Sequence, residues 1–184
     1  MLYKYKDLVK IEGNVRRART AIKNNKYVKL GPGIYSTDES IYVNKLVLFF
    51  MRYKTLTITM QTAFEYYDLT DINYGKYTLA FIQGYRKIND PLIKQSYINE
   101  DIYYLGREKI NKDGFELYIY NKERLLIELI RNKNKIPYDY YKEIINSYRV
   151  LIKREEISLS KVIDYCKYFN HGEQLIRLIQ EIVL

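Results

Sequence analysis

The spacing of apolar positions changes along the chain: helical period at the start, alternation through the middle, helical period again to the end. Leu2, Tyr5, Leu8 and Val9 recur at helical spacing. Gly13 breaks that helix, and Asn14 offers an N-cap for a second over residues 15–23. There Val15, Ala18 and Ile22 share one face, while Arg16, Arg17, Arg19, Thr20 and Lys23 fall largely on the other. Asn24-Asn25 ends it. Residues 27–30 and Ile34-Tyr35 read as strands about the turn Gly31-Pro32-Gly33. Helix, turn, helix, hairpin is an order that puts the hairpin where a winged helix carries its wing.

Residues 36–40 are polar and mark the expected boundary between a head, 1–36, and a body, 37–184. The body opens on a helix at 41–52, apolar on a face wide enough to be buried on more than one side. A strand at 56–59 and a short helix at 61–67 follow. The centre is strand-rich, with candidates at 78–82, 92–98, 102–105, 108–110 and 115–120. Asp113-Gly114 is a hairpin turn signal between the last two. The final third carries helices at 122–132, 138–150, 158–169 and 173–183, introduced by Asn121, Pro137 and Ser158. Strands followed by helices predict an α+β fold: a short N-terminal winged helix-turn-helix, then an α+β domain ending in a helical bundle.

Charge sharpens this division. The formal net charge is +9. Heavy use of Lys, Asn, Ile and Tyr accompanies any AT-rich coding sequence, so the total says little. Its placement says more. Residues 1–36 hold nine basic and two acidic side chains, a net of +7, against +2 for the remaining 148. A nucleotide bias would spread the excess evenly. A basic helix suits the major groove of duplex DNA, where arginine can bond guanine at two points. Arg16, Arg17, Arg19, Thr20 and Lys23 are therefore candidate base or phosphate contacts, and Lys26 and Lys29 candidate phosphate contacts. The competing reading is a solvated basic face beside an ordinary hairpin.

Enzyme signatures are sparse, and no catalytic, cofactor or metal site is expected. His171 is the one histidine and Cys166 the one cysteine, so no zinc set exists, and Cys166 falls on an apolar helix face. Asp38 with Glu39 and Asp68 with Asp71 read as caps and turns. The 22 tyrosines are scattered and not clustered, a pattern open both to stacking on nucleic-acid bases and to core packing. No apolar run approaches the ~18 residues of a membrane span, and the first six residues lack the features of a secretory signal. A single cysteine fits a reducing compartment. The expectation is a cytoplasmic protein that does not enter membranes.

These residues together resemble the AbiEi antitoxin family. Gly33-Ile34-Tyr35 matches the end of that family's wing. Thr59-Met60-Gln61-Thr62-Ala63 and Leu69-Thr70-Asp71 follow in the family's order, and Glu123-Arg124 opens the corresponding helix. The resemblance spans nearly the whole chain. This sequence departs from it in the length of the head, in Pro32 and in Leu125. The resemblance implies a winged helix that binds inverted repeats in its own promoter. It also implies an antitoxin domain that counters a nucleotidyltransferase-like toxin in a type IV toxin–antitoxin, abortive-infection system, without requiring direct contact. Gly33, Ile34, Tyr35, Glu123 and Arg124 would then be structural motif residues, with an ion pair from Arg124 to the strand layer. The alternative is a protein-interaction antitoxin whose head is vestigial and binds no DNA.

Overall fold

The structure, a computed structural model, describes residues 1–53 and 55–183. The fold is α+β and divides into two compact units. The first comprises Met1–Thr55 with Asn111–Leu117, the second Leu56–Ile110 with Tyr118–Leu184. No helix among the described residues is long and apolar enough to cross a membrane.

The first unit begins with a short strand, β1 (Leu2–Lys4), where helical spacing predicts the start of a helix. The pairing of Leu2 with Ser36 and of Lys4 with Ile34 overrides that period. Helix α1 (Tyr5–Ile11) starts one residue later, and the Asp7 carboxylate accepts from the Lys4 amide at 3.0 Å. Gly13, at φ +87°, makes the turn into α2 (Val15–Lys23). Strands β2 (Val28–Gly31) and β3 (Ile34–Ser36) return antiparallel, giving a sheet in the order β1-β3-β2. Ser36 is fully buried as the last residue of β3 and not part of the connector.

A small core lies between these elements. Leu8, Ala18, Ala21 and Tyr27 form its centre, with Tyr3, Val9, Ile22 and Tyr35 packed around them. Val15, expected inside, is exposed, and Ala21 takes its place. The buried stripe of α2 is thus Ala18, Ala21 and Ile22, at i, i+3 and i+4. Two alanines let this helix approach closely, at the cost of little buried area. Helix α3 (Lys45–Arg52) packs on β3, and a side chain at Gly31 would meet Leu48 Cδ1 at 3.9 Å. It starts later than residue 41 because Asn44 caps it, accepting from the Leu46 amide at 2.9 Å.

The larger sheet is made of β4 (Thr57–Ile58), β5 (Tyr77–Ile82), β6 (Ile93–Ile98), β7 (Arg107–Lys112) and β8 (Phe115–Tyr120), in the order β6-β5-β4-β8-β7. Strand β5 is antiparallel to β4 and parallel to the edge strand β6, and β4 is parallel to β8. The β7–β8 turn has Asp113 and Gly114 at φ +54° and +80°, the mirror-image geometry a two-residue hairpin requires. Helix α4 (Met60–Tyr66) packs on β5 and on α6 (Lys122–Arg131). Helices α7 (Tyr138–Lys153), α8 (Leu159–Cys166) and α9 (Gly172–Val183) complete the helical part, with α6 against α8 and α9. From Arg124 to Ile130 every residue of α6 is buried, so this helix is the centre of the second unit. Residues 102–105, expected as a strand, belong instead to a helical turn and its exit. This is α5 (Glu100–Tyr103), capped by Asn99, whose Oδ1 accepts from the Asp101 amide at 3.1 Å. The asparagine cap outweighs the β propensity of Ile102, Tyr103 and Tyr104.

Candidate nucleic-acid interface

The sequence of α2 determines which way its cations point. Asn14 Oδ1 accepts from the Arg17 amide at 2.9 Å, so the helix begins at Val15 with fixed phase. With Ala18 and Ala21 turned to the core, Arg16, Arg17, Arg19, Thr20 and Lys23 are all exposed. Arg16, Arg19 and Lys23 follow each other at i, i+3 and i+7, and Arg17 and Thr20 form a second row beside them. Thr20 Oγ1 donates to the Arg16 carbonyl at 3.1 Å, which orients the hydroxyl along the helix.

The second row opens onto a shallow groove of about 600 Å³, lined by Glu12, Asn14, Arg16, Arg17, Thr20 and Lys26 among others. Arg19, Lys23 and Lys29 lie outside it. Lys29 is exposed on β2. The seven candidate contacts are therefore all at the surface, and the groove gathers Arg16, Arg17, Thr20 and Lys26.

The groove also contains an acid. Glu12 Oε1 accepts from Lys26 Nζ and from Tyr27 Oη, each at 2.7 Å. The Lys26 and then the Tyr27 hydrogen bond hold the Glu12 carboxyl below its ordinary 4.5. The same carboxylate raises Lys26 above 10.5. Tyr27 is raised as well, first by its bond to Glu12 and then by burial. Lys26 is therefore tied across the groove and presents a partly compensated charge. No sequence rule pairs residues fourteen apart in this way. The one signal is that Glu12 is one of only two acids in the head.

No protein-family model matches this sequence, and no curated protein is significantly similar to it.

The motif residues of both units have structural surroundings. Gly33, at φ +76°, carries the β2–β3 turn, and its carbonyl accepts from the Tyr5 amide at 2.9 Å. Ile34 is buried and Tyr35 half-buried. Glu123 lies in the first turn of α6, 3.5 Å from Lys161, and accepts from the Ser158 amide at 3.4 Å. Arg124 is fully buried. Its ion pair is with Glu128 of the same helix, at 2.8 Å, and not with the strand layer. One nitrogen, Nη1, donates to the carbonyls of Ile102 and Leu105, at 2.7 and 3.1 Å. The Tyr120 and Phe169 rings each lie 4.7 Å from the guanidinium carbon. Arg124 thus ties the exit of α5 to α6. His171 stands at φ +60° in the turn before α9. Burial pushes the Cys166 thiol up to about 11, which disfavours the thiolate at neutral pH.

Proposed function

We propose that the head is a compressed winged helix-turn-helix that binds duplex DNA through α2. In this reading the chain is a cytoplasmic, non-enzymatic autoregulator and antitoxin of the type IV class that it resembles. Its functional partner is a nucleotidyltransferase-like toxin, with no direct contact required. One observation carries the DNA reading. A short helix in a helix–turn–helix–hairpin unit keeps only Ala18, Ala21 and Ile22 for its core and turns three arginines and a lysine to solvent. The antitoxin part rests on the order of the motifs from Gly33 to Arg124.

The direct experiment is a titration of the full chain against a fragment of its own promoter at several salt concentrations. Neutralising about four to six phosphates gives a slope near −0.9 per phosphate in log affinity against log salt. Arg16→Ala, Arg17→Ala and Arg19→Ala together abolish the complex and leave the helical circular dichroism unchanged. Absence of any complex with promoter DNA at low salt overturns the reading.

One observation favours the second reading, a vestigial head: Glu12 sits inside the groove and occupies Lys26. That reading requires the triple arginine variant to protect cells from the toxin as well as the parent does, and the parent to bind no DNA.

A further inference from the structure

The second unit contains a cavity of about 490 Å³, large enough for a small organic ligand. Its wall is formed by the edge strand β6, the C-terminal end of α6, the 3-10 turn Lys133–Lys135 that follows α6, and the start of α4. Lys94, Arg131 and Lys135 bring three positive charges to it, against the single acid Glu128. That acid is already committed. Its Oε1 takes two bonds from buried Arg124, at 2.8 and 3.1 Å, and Arg131 Nη1 lies 3.3 Å from both its oxygens. Among the described residues Lys94 and Lys135 have no ion-pair partner, and Arg131 Nε and Nη2 have no acceptor.

The polar groups left over are mostly donors. Gln61 uses its carbonyl oxygen to accept from Thr78 Oγ1 at 3.3 Å, which leaves its amide NH₂ without an acceptor among the described residues. Ser96 lines the same wall with a hydroxyl that has no partner among the described residues. Tyr97 and Ile136 add an aromatic and an aliphatic surface. Met60, at the same wall, is held at φ +47°, a conformation costly for a side chain larger than glycine. Such strain persists where the surroundings over-determine it.

We infer that this cavity is a binding site for a small organic phosphate. An excess of donors and cations calls for a ligand that is mainly acceptor and negatively charged. A phosphate group supplies several acceptor oxygens and up to two charges, which suits separate ammonium and guanidinium groups. The apolar part of the ligand meets Tyr97 and Ile136. The site lies wholly within the second unit, so it stands or falls independently of DNA binding by the head.

The test uses the full chain and three probes at constant ionic strength, followed by calorimetry and amide NMR: inorganic phosphate, phenyl phosphate and phenol. Phenyl phosphate binds saturably at one site, more tightly than inorganic phosphate, shifting the amides of Ser96 and Gln61. Phenol produces no saturable shift. Lys94→Ala with Lys135→Ala weakens phenyl phosphate at least tenfold. Both side chains are exposed and without an ion-pair partner among the described residues, so the thermal midpoint stays put. Lys94→Arg with Lys135→Arg keeps the binding, and the triple arginine variant of the head leaves it unchanged. Non-saturating shifts, shifts confined to the head, or undiminished binding by the double alanine variant overturn the inference.

Discussion

Glu12 is the residue on which the head's chemistry turns. It is an acid in a groove that is otherwise basic, held by Lys26 and Tyr27 at 2.7 Å. Glu12→Gln keeps an acceptor for Tyr27, removes the negative charge and releases Lys26. Promoter affinity should rise several-fold, and the salt slope should steepen by about one phosphate equivalent. An unchanged slope places the groove outside the DNA contact. The same cluster sets a pH profile. The folded-state carboxyl is depressed, so its contribution is present above 4.5 and is lost as pH falls through the lower folded value. Lys26 and Tyr27 are raised, so theirs is present below 10.5 and 10.0 and is lost as pH rises through the folded values. Thermal melts of the parent should be flat near neutrality and fall at both extremes. Glu12→Gln should flatten the acid limb. In the other unit, Arg124→Ala leaves Glu128 buried without its main partner and two carbonyls without a donor. About 3–5 kcal/mol of stability should be lost, read by denaturant unfolding. A loss below about 1 kcal/mol contradicts the role given to this side chain.

At the level of the element, α2 is a nine-residue helix with two alanines as its main anchors. Helices this short are marginal without capping and packing. Asn14→Ala removes the bond to the Arg17 amide and should cost about 1 kcal/mol. DNA affinity should fall with it even though no cation is touched, and Asn14→Ser should restore both. Much of this element is legible in the sequence: Gly13, Asn14, Asn24-Asn25 and the basic positions of the exposed face. The phase is less so, because Val15 is the stronger hydrophobe and Ala21 is the buried one. The strand β1 is not legible either. Three residues paired to β3 obey a partner 30–34 positions away in the chain, while local spacing sees only Leu2, Tyr5 and Leu8. Residues 102–105 show the same effect in reverse, where a single side-chain cap at Asn99 defeats three strand-forming residues.

For the whole molecule, the division of charge is written in the order of residues alone. The head carries +7 and the remainder +2, and the seven candidate contacts all stand at the surface. The α+β order, the Asp113-Gly114 hairpin turn and the existence of a helix at α6 are readable for the same reason, since each follows from local period or turn chemistry. The Glu12 clamp, the Arg124 network and the polar cavity are not, because each joins side chains from distant segments. The central claim is that the basic head binds duplex DNA. The most direct measurement is the promoter-fragment titration of the full chain and its Arg16, Arg17, Arg19 triple alanine variant across a salt series. The parent should form a complex whose affinity falls linearly with salt on logarithmic axes, with a slope that corresponds to about four to six phosphates neutralised, and the variant should form none. No complex for the parent at the lowest salt, or the same complex for both proteins, would contradict the claim.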